Sequence, residues 1–406
     1  MMSGRSVKSS QTKISATAIA LIFAAIYMVS YLTRINFGAV VSEMEQSTGI
    51  PKNLLSLSLT GSFITYGIGQ VFSGFTADRI CPKKLITIGL GTTAVMNLLL
   101  PLCKGPYAML CVWCVNGFAQ SMMWPPIVKM MSQLFSDGEY KKAAVIVSGG
   151  SSVGTIVVYL LAPAVISLLN WRWLFVICGG IAIVTMVLWQ FFPFVPRNEE
   201  PTAPRQKGNF RIFLSPLILG IMGAIVLQGM LRDGITTWMP TYITEVYNWG
   251  TAASILAGVI LPIFSLICVE LATVLHNRWL KNPLFCAGVF FAVGMICALC
   301  LFAVTGNNAG LSVAFSALLT GAMHGVNMML ISILPPYFRR FGLTGTASGM
   351  LNACTYVGSA LSTYGIAAIS QATGWKFTIF LWAVIALLGT ILCLCGTRVF
   401  AKKFQS

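Results

Sequence analysis

The sequence predicts an all-α membrane protein with twelve transmembrane helices. Hydrophobic residues make up 57% of the 406 residues and charged residues only 9%, whereas a soluble domain has ~25% charged residues. The apolar residues form continuous runs, unlike the ~10-residue alternating segments of a membrane β-barrel. Twelve runs approach the ~20 residues that a helix needs to cross a bilayer. A soluble globule, a disordered chain and a secreted disulfide scaffold are thereby excluded.

The twelve runs follow one another with short polar connections. Their limits are 15–41, 54–77, 85–103, 107–134, 142–168, 172–194, 215–245, 251–275, 283–304, 309–337, 345–371 and 376–398. The first run follows a basic stretch, as the apolar part of a signal peptide does. It is long and no small-residue cleavage site follows it, so we expect an uncleaved first span.

The basic residues predict the orientation. Most of the 26 Lys and Arg residues lie in the loops on the side of both termini, Arg79, Arg339 and Arg340 among them. Cytoplasmic loops carry such an excess. We therefore expect an integral multi-pass protein of the plasma (bacterial inner) membrane with both termini in the cytoplasm. The positive charge does not indicate a nucleic-acid partner, because no soluble domain carries a basic cluster.

The chain repeats itself around a polar linker, residues 196–212, that is rich in proline and charge. Pro125-Pro126 recurs as Pro335-Pro336, Trp171-Arg172-Trp173 recurs as Trp375-Lys376-Phe377, and Arg34 recurs as Arg232. Separations near half the chain length indicate a duplication. We expect two pseudo-symmetric six-helix bundles, residues 1–195 and 213–406, with a binding site between them at the membrane midplane.

Two arginines lie inside predicted spans, Arg34 in the first and Arg232 in the seventh. An arginine at the centre of a span costs about 2.5–3.5 kcal/mol on insertion scales, so it usually faces a cavity or a partner. Two guanidinium groups facing one site form a bidentate clamp for phosphate or carboxylate. A structural salt bridge is the alternative, above all for Arg232, which Asp233 follows directly.

Other polar residues inside the spans are candidates for proton coupling or substrate binding. Asp233 and Glu270 are the acidic candidates, since a buried carboxylate can load and release a proton. Asp233 also fits a role as the partner of Arg232, and Glu270 also fits a span end with its carboxylate in water. His324 is a candidate for substrate binding or for a helix–helix hydrogen bond. Tyr31 and Gln70 are weaker candidates for the cavity wall.

The loop after the second span carries Gly74-Phe-Thr-Ala-Asp78-Arg79. Its glycine allows close helix approach, and its aspartate can pair with a facing helix dipole. The segment resembles the signature loop of the major facilitator superfamily, G-x-x-x-D-[RK]-x-G-[RK]-[RK]. The resemblance implies the major facilitator fold, and it makes Gly74, Asp78 and Arg79 a conformational latch rather than a substrate site.

Four segments resemble one group within that superfamily, the organophosphate:phosphate antiporters for glycerol 3-phosphate and hexose phosphates. They are YLTRINF, YGIGQVFSGFTADR, MMWPPIVKMMSQLFS and LRDGITTWMPTYITE. The resemblance implies that Arg34 and Arg232 bind phosphate and that Tyr66 and Tyr356 line the cavity. It also implies exchange of a phosphorylated metabolite for inorganic phosphate by a protein that works as a monomer.

The chain departs from these antiporters in its cavity. Gln70 and Ser151 stand where the antiporters have a lysine and a histidine, so we expect substrate contacts that carry less positive charge. The anion:cation symporters for sugar acids share the Y-L-x-R pattern of the first span. A proton-coupled symporter of a sugar acid or another carboxylate is therefore the first alternative, and a transporter-like membrane sensor is the second.

No sequence pattern indicates a metal, a cofactor or an enzyme. Cys111-x-x-Cys114 lies within a span without a second cysteine pair at zinc spacing. No G-x-x-x-x-G-K-[ST] loop for ATP occurs, and no set of catalytic side chains is apparent. The partners expected are a small anionic substrate and the lipid bilayer, with no cofactor.

Overall fold

The computed structural model describes residues 15–50, 52–192, 210–249, 257 and 260–405. The basic residues before position 15, most of the predicted linker 196–212 and the start of the predicted span 251–275 lie outside the described residues. Throughout the described ranges, every regular element is a helix. The prediction of an all-α protein is confirmed.

The α-helices follow the order of the predicted spans. In the described part of the chain they are α1 (Ala16–Thr48), α2 (Lys52–Ala77), α3 (Pro82–Leu99), α4 (Pro106–Gln120), α5 (Trp124–Leu134), α6 (Asp137–Leu168), α7 (Trp171–Gln190), α8 (Pro216–Tyr247), α9 (Ile260–Arg278), α10 (Pro283–Val304), α11 (Ala309–Asn327), α12 (Thr344–Thr373) and α13 (Trp375–Phe400).

Nine spans among the described residues are long and apolar enough to cross a membrane. The other three predicted runs are helical as well, and they correspond to α2, to α4 with α5, and to α12. Helices α2 and α12 are rich in Gly, Ser and Thr. Small residues of this kind let helix backbones approach one another closely.

The two Pro-Pro pairs interrupt corresponding spans. The predicted span 107–134 breaks after Gln120, and α5 begins with Pro125 and Pro126 in its first turn. The predicted span 309–337 passes from α11 into a π-helical turn, Met328–Ile333, and then into a 3₁₀ turn, Pro335–Phe341. Proline cannot donate to the preceding turn and clashes with it, which explains both breaks.

Glycines bring the helices of each half together in a repeated pattern. Helix α1 packs along α6, and α8 packs along α12. A Cβ at Gly154 in α6 would lie 2.6 Å from the carbonyl oxygen of Met28 in α1. A Cβ at Gly358 in α12 would overlap the carbonyl oxygen of Val226 in α8. Equivalent helix pairs in the two halves thus use glycine at equivalent places.

The longest contact between the two halves joins α2 to α12. It continues turn by turn from the middle of the molecule to the end where α1 begins and α13 ends, which we call the terminus side. The residue pairs along it are, in order, Tyr66 with Tyr356, Gln70 with Asn352, Gly74 with Gly345 and Gly349, and Asp78 with Gly345 and Thr346.

Candidate functional site

Arg34 lies in the middle of α1 and is only 8% exposed. Its Nη1 donates to the hydroxyl of Tyr356 in α12 at 3.2 Å. The guanidinium carbon lies 4.1 Å from the ring centre of Tyr31 and 4.8 Å from that of Tyr66. No carboxylate of the described residues pairs with it. Arg34 is therefore a buried cation held by three tyrosines without an opposite charge of its own.

A buried polar network fixes the turn of α1 that carries Arg34. The carbonyl oxygen of Thr33 accepts from the amides of Asn97 in α3 and Asn116 in α4, each at 3.1 Å. The Thr33 hydroxyl accepts from Gln120 at 2.7 Å, and Asn36 donates to Asn97 at 2.7 Å. These residues are essentially inaccessible to solvent. Three amides from α3 and α4 thus converge on Thr33 and tie this turn of α1, which carries Arg34, to both helices.

Arg232 in α8 is partly buried and, unlike Arg34, is paired. Its Nε and Nη2 donate to the two carboxylate oxygens of Asp233 at 2.6 and 2.9 Å. Its Nη1 donates to the side-chain oxygen of Asn327 in α11 at 3.1 Å. The hydroxyl of Ser359 in α12 donates to the same carboxylate. The prediction that Asp233 partners Arg232 agrees with this geometry.

Tyr31 and Tyr356 connect the two arginines. Each tyrosine lies close enough to Arg34, Arg232 and Asp233 to interact with all three electrostatically. We call these five residues the arginine cluster. It brings together the two arginines that the sequence placed in corresponding spans. A role in substrate binding stays a prediction for each of them.

His324 lies beside the cluster, one helical turn before Asn327. Its Nδ1 is 3.0 Å from both the hydroxyl of Ser265 in α9 and the carbonyl oxygen of Thr320. It also interacts electrostatically with Arg232 and Asp233. The helix–helix hydrogen bond is therefore present, and the predicted contact with substrate stays a prediction.

Gln70 and Ser151 hydrogen-bond to groups other than the two guanidinium groups. Gln70 is fully buried between α2 and α12, where its side-chain oxygen accepts from Asn352 at 3.1 Å. Ser151 in α6 donates to the carbonyl oxygen of Ser148 at 2.6 Å. Neither hydrogen-bonds to the cluster. Their assignment as substrate contacts rests on the lysine and the histidine of the antiporters that the sequence resembles, and it stays a prediction.

The predicted latch joins the two halves at the terminus side. The carboxylate of Asp78 accepts from the backbone amides of Gly345 and Thr346 at 2.9 and 2.7 Å. These amides open helix α12, whose N-terminus favours a negative charge. Gly74 contacts Gly345 and Gly349 so closely that a side chain has no room. Arg79, in the turn after α2, is exposed and lies over the ring of Phe75.

Glu270 and Asp233 differ in their surroundings. Glu270 is exposed on α9, whereas Asp233 lies inside the arginine cluster. Among the described residues, no group of three or more His, Cys, Asp and Glu side chains could hold a metal ion.

Sequence reasoning missed several residues that position the arginine cluster and the latch. The signal available for Ser359 is its spacing. It follows Tyr356 by three residues and therefore lies on the same face of α12. Lys129 in α5 donates to the carbonyl oxygen of Ala77 and lies 3.9 Å from Asp78. The Thr33 network had no comparable signal, because its members come from three spans.

The family model of the Major Facilitator Superfamily matches residues 23–363. The chain belongs to the major facilitator superfamily. Its fold is similar to that of the proton:xylose symporter XylE bound to 6-bromo-6-deoxy-D-glucose. The TM-score is 0.77 at 13% identity, over 96% of each chain. The predictions of family and fold are confirmed.

Curated relatives cover most of the chain at low identity. A probable hexose phosphate transport protein of Chlamydia trachomatis serovar D is 23% identical, over 91% of this chain and 88% of its own length. The glycerol-3-phosphate transporter of Bacillus subtilis strain 168 is 23% identical, over 82% and 81%. The membrane sensor protein UhpC of Salmonella typhimurium strain LT2 is 25% identical, over 89% and 86%. This member of the superfamily is a multi-pass membrane transporter and not an enzyme.

Proposed function

We propose that this protein is a secondary active transporter of an anionic organic metabolite, which it moves by alternating access. The substrate is a phosphorylated small molecule of the sugar phosphate or glycerol 3-phosphate type, exchanged for inorganic phosphate. Residues 1–195 and 213–406 form the two moving halves, and residues 196–212 link them. The protein works as a monomer in a bacterial inner membrane, with both termini in the cytoplasm.

The observation that carries this proposal is that the buried Arg34 has no carboxylate partner among the described residues. A cation removed from water is strongly disfavoured unless an opposite charge or several hydrogen bonds compensate for it. Arg34 has one hydrogen bond to Tyr356 and two nearby tyrosine rings. An anionic substrate would supply the missing charge, and the planar guanidinium suits phosphate or carboxylate oxygens.

The relatives support the choice of a phosphorylated substrate. Two of them are named for the transport of hexose phosphate and of glycerol 3-phosphate. Both match this chain over more than four-fifths of its length. The arginine cluster offers the chemistry that a phosphate group needs, at a position between the two halves.

The hydrogen bonds between the halves support alternating access. They include Arg34 with Tyr356 in the middle, and Gln70 with Asn352 and Asp78 with Thr346 toward the terminus side. Tyr140 in α6 also donates to the carbonyl oxygen of Ser332 at 2.7 Å. The terminus side is therefore held closed below the cluster. With cytoplasmic termini, this state would receive substrate from outside the cell.

Exchange of labelled phosphate in proteoliposomes tests the proposal. Vesicles preloaded with phosphate, without a proton gradient, should take up labelled phosphate through the wild-type protein. Arg34→Lys keeps the charge but loses the planar fork, so affinity should fall about 10- to 150-fold, because hydrogen bonds to charged groups contribute ~1.5–3 kcal/mol. Arg172→Lys, at an exposed arginine of α7, is the control. Unchanged exchange in Arg34→Lys would contradict the proposal.

The pairing of Arg232 with Asp233 favours a second candidate, a proton-coupled symporter of a sugar acid or another carboxylate. A carboxylate next to the site can carry the coupling proton. Uptake of a labelled sugar acid that requires an imposed pH gradient, together with no phosphate exchange, would establish this candidate.

The similarity to UhpC favours a third candidate function, a membrane sensor. Binding of a sugar phosphate without any transport would establish the sensor.

A further inference from the structure

We propose that Asp233 is an internal anion that occupies the guanidinium of Arg232, so that the site accepts a substrate group carrying a single negative charge. This inference rests on the proposed function, and it names the ionic form of the substrate that binds. Asp233 would thus set the selectivity of the transporter, while Arg34 makes the direct contact with the substrate anion.

The geometry of the pair supports this role. Neighbouring residues on a helix normally point in different directions. Here both side chains bend to one side, and two hydrogen bonds of 2.6 and 2.9 Å join them. This is the bidentate arrangement that a substrate carboxylate or phosphate would form with an arginine. The carboxylate of Asp233 therefore fills the position that a second oxyanion would otherwise take.

Residues from other helices hold the pair in place. Ser359 in α12 donates to the carboxylate of Asp233, and Asn327 in α11 accepts from the remaining Nη1 of Arg232. Three nitrogens of Arg232 thus already donate within the protein. Within the described ranges, Arg34 has a single such hydrogen bond, from its Nη1. The two arginines are consequently not equivalent, although they occupy corresponding positions in the two halves.

The charge of the cluster follows from these contacts. Two guanidinium groups and one carboxylate leave one net positive charge. The titratable groups that face Asp233 are Arg232 on its own helix, His324 from α11, Tyr31 from α1 and Tyr356 from α12. Arg34 contacts Tyr31 and Tyr356, the two tyrosines that face Asp233. One positive charge is matched by one negative charge on the ligand.

Phosphate monoesters exist in both forms near neutral pH, because their second pKa is about 6. The protein should therefore bind the singly charged form, and binding should strengthen as the pH falls from 8 to 5. A phosphate diester stays singly charged over this range. Methyl phosphate and dimethyl phosphate, which differ by one methyl group and one charge, are a matched pair of probes.

Calorimetric binding of both probes to the purified full chain tests the inference. Wild-type protein at pH 8 should prefer dimethyl phosphate, and its affinity for methyl phosphate should rise as the pH is lowered. Asp233→Asn keeps the shape of the side chain and removes its charge. It should shift the preference toward doubly charged methyl phosphate by about tenfold or more, which corresponds to ~1.4 kcal/mol. Asp137→Asn, at the exposed start of α6, should change nothing.

The outcomes separate the inference from the proposed function. If wild type prefers the doubly charged probe at pH 8 and Asp233→Asn leaves that preference unchanged, the inference is wrong while phosphate recognition stands. If folded wild type and folded Asp233→Asn bind neither probe at any pH, the proposed function fails and the inference fails with it. A reversal of preference in Asp233→Asn supports both.

Discussion

Replacing Gly74 by alanine should open the contact between α2 and α12 at the terminus side. A Cβ at Gly74 would overlap the carbonyl oxygen of Gly345 and lie 3.0 Å from the Cα of Gly349. Both are backbone atoms, so neither can rotate away. Overpacking of this kind costs ~1–3 kcal/mol. Because the two helices belong to different halves, their separation relieves the overlap. The equilibrium between closed and open states should then shift about 5- to 150-fold toward the open state.

Amide hydrogen exchange measures this opening directly. The amides of Gly345 and Thr346 donate to Asp78 at 2.9 and 2.7 Å, so they are protected while the terminus side is closed. In the purified full chain, their exchange should be faster in Gly74→Ala by the same factor. Gly180→Ala in α7, where a Cβ would meet nothing within 4 Å, should leave it unchanged. Equal exchange rates in the two variants would refute the reasoning.

Three further substitutions test the contacts that close the molecule and fix its first half. Asp78→Asn should speed exchange of the first amides of α12 about tenfold or more, since hydrogen bonds to a charged acceptor contribute ~1.5–3 kcal/mol; unchanged exchange would exclude this role. Tyr140→Phe removes the bond to Ser332, and a smaller increase is expected at the same amides, because a neutral bond contributes ~0.5–1.5 kcal/mol; no increase would show that this bond does not help closure. Asn97→Ala leaves the amide of Asn36 without its acceptor and should cost ~1–3 kcal/mol of stability; an unchanged thermal midpoint in detergent would contradict this.

The spans could be predicted from the sequence because the bilayer imposes a length and an apolar composition on every crossing. The breaks inside two of them could be predicted only in part. Both Pro-Pro pairs marked the position, but the sequence did not distinguish the α-helix that begins at Trp124 from the π-helical and 3₁₀ turns of residues 328–341. That difference depends on contacts with neighbouring helices.

The arginine cluster could be predicted because a charge within a span is costly and therefore rare. Its internal pairing could not. Arg232 and Asp233 are neighbours in sequence, and such neighbours usually diverge on a helix. Their bidentate pairing depends on Ser359 and Asn327, which come from two other helices.

The residues that the resemblance assigns to the cavity lie in different surroundings. Tyr66 and Tyr356 contact Arg34, whereas Gln70 does not hydrogen-bond to it. The resemblance to the organophosphate:phosphate antiporters implies a substrate contact at Gln70, where those antiporters have a lysine. In the structure it is fully buried and pairs with Asn352 between the two halves. The same side chain therefore also fits a role in closing the molecule. A resemblance at 23% identity does not by itself determine the surroundings of a side chain.

The most direct test of the central claim is the binding of an anion at Arg34. Labelled inorganic phosphate should bind the purified wild-type protein saturably at pH 6. Binding should be lost in Arg34→Ala and retained in Arg172→Ala, which removes an exposed arginine of α7. Equal phosphate affinity in all three proteins would contradict the claim that the unpaired charge of Arg34 recognises the substrate.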